Sequence, residues 1–250
     1  MDTNRSDDTD PDSGTRDTGD GIRDTDSGAR DTDSGARDTD SGARDTDDPL
    51  AWELLGSTVD YTCPGFDVRR DDVRLPDGTE SDYHYVDEPP AVVVLPFVEA
   101  SGDDENDEDD RDGTDGTDGE SEVVVIEEWR QAVGRVSRGL PAGTTEPDDA
   151  DLATAARREL AEETGYEAGT LEPLVSAEPI NGVANAVHHY FVARDCTPTG
   201  ERNLDFNESI RVSTTGYDGL VEEALEGEIR DGRTLLGLFT YELHGERNDR

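Results

Sequence analysis

Between Pro141 and Tyr166 the chain runs Pro-Ala-Gly, a short acidic stretch, and then Arg158-Glu159-Leu160-Ala161-Glu162-Glu163-Thr164-Gly165. The pattern predicts a helix over roughly residues 151–164. Asp148, Asp149 and Asp151 are N-cap candidates, and negative charge there suits the positive end of the helix dipole. Gly165 stands where a left-handed residue ends a helix. Ala153, Ala156 and Leu160 recur at helical spacing, which predicts a face packed on a sheet. Glu159, Glu162 and Glu163 then share one side of the helix, at i, i+3 and i+4. Like charges at that spacing destabilise an isolated helix, so the fold must compensate them. Arg158, four residues before Glu162, offsets part of the repulsion. A hard cation such as Mg2+ (or Mn2+) takes carboxylate oxygens, water and substrate phosphate, and offsets more. The carbonyl of Ala142, in the loop before the helix, is a further candidate ligand. The competing reading is a solvated acidic face.

Charge narrows the choice of partners. The chain has 64 acidic residues against 22 basic ones, all arginine, for a formal net charge of −42. Such a surface repels nucleic-acid backbones and anionic membranes, so neither is expected as a partner. Residues 1–48 hold 16 acids and 6 arginines, and residues 103–122 hold 12 acids and 1 arginine; half of the excess therefore lies elsewhere, in the part that folds. An acidic folded part without lysine resembles the proteins of salt-loving archaea. At about 1 M salt the Debye length is only ~3 Å, which screens such self-repulsion. Cys63 and Cys196 stand in no metal-ligand spacing. No apolar h-region opens the sequence and no apolar run reaches transmembrane length. A reduced, cytoplasmic chain is expected.

Three regions follow from the composition. Arg23-Asp-Thr-Asp-Ser-Gly-Ala29 recurs from Arg30 and from Arg37 and decays at Arg44. The repeat is seven residues long but carries no large apolar residue, so no coiled-coil seam forms. Residues 1–48 are expected to be a disordered acidic tail. Residues 49–90 form a β-region: Ala51–Leu55 fits a helical turn or a short strand, Val59–Arg70 reads as strand, Pro-Gly turn and strand, and a turn at Leu75–Gly78 leads to Tyr83–Val86. Ala91–Phe97 is a continuous apolar run, expected of a strand buried on both faces, and Val123–Ile126 mirrors it. The acidic stretch 101–122 between them reads as a disordered insertion in a hairpin connection. Its aspartates lack the ligand order of a calcium loop. Further strands are expected at 170–178, 186–194 and 210–213, and helices at 220–225 and 234–241. Strands around amphipathic helices indicate an α/β or α+β layering.

The central segment resembles the Nudix hydrolases, whose pattern is G-x5-E-x7-R-E-U-x-E-E-x-G-U with U a bulky apolar residue. Gly143, Arg158, Glu159, Leu160, Glu162, Glu163, Gly165 and Tyr166 occupy its places. Fourteen residues separate Gly143 from Arg158, one more than in the pattern, and Ala150 stands where it has glutamate. Asp149 or Asp151 is the replacement after a one-residue insertion. Glu127-Glu128-Trp129-Arg130 followed by Leu140-Pro141-Ala142-Gly143 is similar to the ADP-ribose pyrophosphatase branch, although Gly139 replaces that branch's usual glutamate. The resemblance implies an α/β/α sandwich with a mixed sheet over residues 91–244. It also implies an N-terminal β-region that helps build a homodimer.

The resemblance further implies Mg2+ or Mn2+ held by Glu159, Glu163 and Glu162 with the Ala142 carbonyl assisting, and Arg130 at the substrate phosphates. Glu208, in Leu204-Asp-Phe-Asn-Glu-Ser-Ile210, is the candidate base; a surface acid is the other reading of it. Glu162 and Arg158 complete the expected catalytic set. His188 and His189 lie on an expected strand, where at least one is a core or face residue. The implied reaction cleaves a nucleoside diphosphate linked to another moiety, ADP-ribose giving AMP and ribose 5-phosphate. Pro179-Ile180-Asn181-Gly182 matches the branch's Ser-Pro-Gly only in part, so another nucleotide sugar also fits. The alternative is a nucleotide-binding module of the same fold that is catalytically weak, consistent with the inserted residue and Ala150.

Overall fold

The computed structural model describes residues 48–98, 121–204 and 208–248, with side chains to residue 245. The expected tail over 1–48 and the insertion over 101–122 lie outside these residues except at their edges.

Residues 53–87 form a three-stranded antiparallel sheet: β1 (Glu53–Thr62), β2 (Asp67–Arg74) and β3 (Glu80–Asp87), in that order. The expected turns join them. Cys63 N–H donates to the Phe66 carbonyl at 3.1 Å across Pro64-Gly65, and Gly78 sits at φ 87°, a value that suits glycine because no Cβ resists it. Ala51–Leu55, open between helical turn and strand in the sequence, runs into β1.

The larger sheet is mixed. Its strands are β4 (Ala91–Val98), β5 (Glu122–Arg130), β6 (Arg135–Gly139), β7 (Ala142–Thr144), β8 (Tyr166–Glu167), β9 (Thr170–Ala177), β10 (His188–Pro198) and β11 (Ile210–Gly216). The order is β11-β5-β4-β10-β8, with β6 on β5, β7 on β4 and β9 on β10. Strand β10 runs parallel to β4. Helix α1 (Leu152–Thr164) covers one face; α2 (Tyr217–Leu225) and α3 (Gly232–Asn248) cover the other. Strand β4 explains why the run from Ala91 has no polar alternation. Val92 and Val94 pack with Ala155, Ala156 and Leu160 of α1, while Val93, Leu95 and Phe97 pack with Leu220 and Leu238 of the other two helices. Each such side chain contributes roughly 1.5–3 kcal/mol on burial. The result is an α/β/α sandwich. None of the described helices is long and apolar enough to cross a membrane.

Strands β4 and β5 share a single register pair, Phe97 with Val123. The far edge of β4 carries β10 and that of β5 carries β11, so β7 and β6 must lie in the gap where the two strands part. Residues Gly139–Gly143 bridge that gap. Ala142 therefore stands on a short strand rather than in the loop that the sequence suggested.

Candidate active site

Helix α1 is built as its sequence implies. Asp151 caps it, accepting the Thr154 N–H at 2.7 Å, and Gly165 closes it in the left-handed region at φ 73°. Glu159 and Glu163, one turn apart, lie on its buried side with 8 % and 3 % of their surface exposed. Glu163 Oε2 accepts the Ala142 N–H at 2.9 Å. Gly143 is required here for a steric reason: a Cβ on it would overlap the Glu159 carboxyl group. The helix and β7 thus press two carboxylates into a space that any larger residue would fill.

Burial makes both carboxylates resist ionisation. Desolvation pushes Glu159 up to about 7 against the favourable pull of Arg158, while the charges of Glu162 and Glu208 push further. Desolvation likewise pushes Glu163 up to about 8, opposed by the Ala142 N–H and reinforced by Glu159, Glu208 and Glu128. Five carboxylates, those of Glu128, Glu159, Glu162, Glu163 and Glu208, therefore converge electrostatically at this point of the fold. Glu208 reaches them from the segment before β11.

Arg158 is the counterweight. Its guanidinium donates to Glu159 Oε1 at 2.8 Å, to Glu162 Oε2 at 3.0 Å, to the Thr144 carbonyl at 3.0 Å and to both oxygens of Asp149 at 3.2 and 3.0 Å. Asp149 also accepts the Glu146 N–H at 2.7 Å. The Arg158 hydrogen bonds hold the Asp149 carboxyl below the ordinary carboxylate range. Of the two acids proposed to replace the missing glutamate, Asp149 has the loop-anchoring geometry, and Asp151 is committed to the helix cap. Glu162 is only half-buried and faces Arg158. Among the described residues no three acidic, imidazole or thiol groups stand ready as a ligand set: Glu159 and Glu162 turn to Arg158, and Glu163 to Ala142.

The donor set nevertheless suits a hard divalent cation. It is all oxygen, its two deepest members are desolvated, and the repulsion it carries is what such an ion relieves. Arg130, at the end of β5, pairs with Glu128 at 2.6 Å. The two line a cleft with Arg138, Gly139, Asp231 and Arg233. Glu128 was not singled out from the sequence. Its signal was the i, i+2 spacing to Arg130, which puts both on one face of a strand; burial raises its pKa, against the pull of Arg130. His188 and His189 sit half-buried on β10, with His189 Nδ1 at 2.8 Å from Ser176 Oγ.

Residues 114–230 match the NUDIX domain. The chain carries a Nudix domain. Residues 52–86, spanning β1 to β3, match the nucleoside diphosphate sugar hydrolase N-terminal domain. The chain is 28 % identical over 169 residues to the methanol dehydrogenase activator of Bacillus methanolicus, covering 67 % of this chain and 80 % of that protein. It is 27 % identical over 173 residues to the ADP-ribose pyrophosphatase of Bacillus subtilis (strain 168), covering 69 % and 82 %. A crystal structure described as an ADP compounds hydrolase superposes with a TM-score of 0.61 at 20 % identity, covering 78 % of this chain and 95 % of that one; it shares the fold. The Nudix domain match and the ADP-ribose pyrophosphatase relative support a Nudix pyrophosphohydrolase. In the sequence, Gly143, Arg158, Glu159, Glu162 and Glu163 carried the resemblance to the Nudix pattern.

Proposed function

We propose that the chain hydrolyses the diphosphate of a nucleoside diphosphate sugar in the presence of Mg2+ or Mn2+, with ADP-ribose as substrate and AMP and ribose 5-phosphate as products. The observation that carries this reading is the buried pair Glu159 and Glu163, pressed against Ala142 and Gly143, whose mutual repulsion Arg158 offsets at Glu159 and a divalent cation would offset further. Glu159, Glu163 and Glu162, with the Ala142 carbonyl, would hold the ion. When bound, it supplies charge neutralisation and Lewis acidity toward the diphosphate.

The chain's own residues do the rest. Arg130 meets the phosphate oxygens and is held for that by Glu128. Arg158 keeps Glu159 and Glu162 in place and ties them through Asp149 to the loop before α1. Glu208 takes the proton of the attacking water. A new oxygen–phosphorus bond forms, the bridging oxygen–phosphorus bond breaks, and the leaving phosphate departs. The ADP-ribose pyrophosphatase relative and the match of residues 52–86 to a nucleotide-sugar hydrolase domain support this substrate class.

A screen of ADP-ribose, GDP-mannose and NADH with Mg2+ in molar KCl tests the proposal. Cleavage of ADP-ribose above the other two is expected. Hydrolysis of none of them, with nucleotide binding unchanged by Glu163→Gln, would favour the weakly catalytic binding module instead.

The outer strand β1 and the residue before it expose Trp52, Leu54, Leu55, Val59 and Tyr61 by 42–58 %, and the strand's free edge invites pairing. We propose that a second copy of the chain covers this region. Light scattering in molar KCl is expected to give twice the chain mass; a monomer at micromolar concentration would contradict it.

A further inference from the structure

The bridge Gly139–Gly143 is gripped at both ends. At the far end Glu163 accepts the Ala142 N–H, and the Glu159 carboxyl fills the space over Gly143. In the middle, the Pro141 carbonyl accepts the Val94 N–H at 3.0 Å. At the near end the partner comes from α3, on the opposite face of the sheet. The Leu140 N–H donates to Thr234 Oγ1 at 3.0 Å, 94 residues away in sequence. That hydroxyl in turn donates to Asp231 Oδ2 at 2.7 Å, and the same Asp231 oxygen accepts the Thr234 N–H at 3.2 Å. Thr234 is fully buried and Leu140 nearly so.

Two glycines let the parts approach. A Cβ on Gly139 would overlap Thr234 Oγ1, and one on Gly237 would stand 3.1 Å from Leu140 Cδ1. The first turn of α3 is therefore fitted to the bridge as closely as α1 is.

We propose that Thr234, held by Asp231, is a positioning residue for the carboxylate pair. It fixes Leu140, and through two peptide units it fixes where the Ala142 N–H and the Gly143 backbone meet Glu163 and Glu159. A buried N–H that loses its acceptor moves or finds another. Movement of Leu140 would be passed along the bridge, through Pro141, toward Ala142 and the site. The proposal rests on the reading of Glu159 and Glu163 as a cation site for its consequence, but not for the latch itself.

Thr234→Val keeps the shape and removes the hydroxyl; Thr234→Ser keeps the hydroxyl. Hydrogen exchange of the Ala142 amide is read in the full chain in molar KCl, together with Mn2+ binding by electron paramagnetic resonance. Exchange at least tenfold faster and Mn2+ binding at least threefold weaker are expected for valine, with serine within twofold of wild type on both. The proposal is overturned if valine leaves either reading at its wild-type value, or if serine shifts as far as valine. Should the wild type bind no Mn2+, the cation reading fails and the Ala142 exchange alone decides the latch. Thr234→Ala repeats the test if valine does not fold. Loss of the fold in both would make the bond a determinant of folding rather than of position, and would also overturn it.

Discussion

Glu163 and Glu159 set the behaviour of the site because their folded-state pKa values, about 8 and about 7, lie above the ordinary 4.5. Between those values the folded state binds more protons than the unfolded chain, so stability is greatest at low pH in this window and falls as pH rises through about 7 and 8. Without divalent cation, the melting temperature in molar KCl is expected to drop by about 5 °C between pH 6 and pH 8.5, and added Mg2+ to restore it. Glu163→Gln removes one of the two buried charges and is expected to flatten the drop; an unchanged drop in the variant would contradict the assignment. Gly143 tests the same geometry from the other side. Gly143→Ala forces the Glu159 carboxyl away. We expect Mn2+ affinity to fall on the order of 10–100-fold, the range seen when groups that orient a metal site are lost, as read by titration; wild-type affinity would show that Glu159 is not held there.

The element that separates the two candidates for the missing glutamate is the loop from β7 into α1. Asp149 anchors it through Arg158 and the Glu146 N–H, whereas Asp151 only caps the helix. Asp149→Ala leaves part-buried guanidinium donors unpaired, a loss of about 1–3 kcal/mol, and is expected to lower both stability and hydrolysis. Asp151→Ala is expected to lower the melting temperature and leave kcat unchanged; equal kinetic losses would contradict the division. The helix itself was legible in the sequence because cap, glycine stop and apolar spacing all agree on it. So was β4, whose unbroken apolar run has no other explanation in a chain this polar. The short strands β6, β7 and β8 were not legible. Strands β7 and β8 are defined by partners distant in sequence, as when Ala142 pairs with Val93, and β6 by a hairpin with β5 across residues 131–134, none of them by a periodicity of its own. For the same reason the sequence could not reveal that Thr234 reaches Leu140.

At the scale of the whole molecule, acidity is the property that dominates, with 64 acidic residues against 22 basic ones. The strand β2 reads Asp-Val-Arg-Arg-Asp-Asp-Val-Arg, its charges paired across to β1 and β3 by Arg74 with Glu53 and Glu80 and by Arg69 with Asp87. Exposed pairs of this kind contribute little, ~0–1 kcal/mol each, and cannot balance a net charge of −42. We propose that screening by salt does so. The circular dichroism of the folded chain in molar KCl is expected to be lost in dilute buffer; a spectrum unchanged between the two would refute the dependence.

The buried carboxylate pair is proposed to hold the cation for diphosphate cleavage. The most direct measurement is the rate of ADP-ribose hydrolysis against Mg2+ concentration in molar KCl, for wild type and Glu163→Gln. The wild-type rate is expected to rise with Mg2+ and saturate, and the variant to be slower on the order of a hundredfold. A wild-type rate independent of Mg2+, or a variant as fast as wild type, would contradict it.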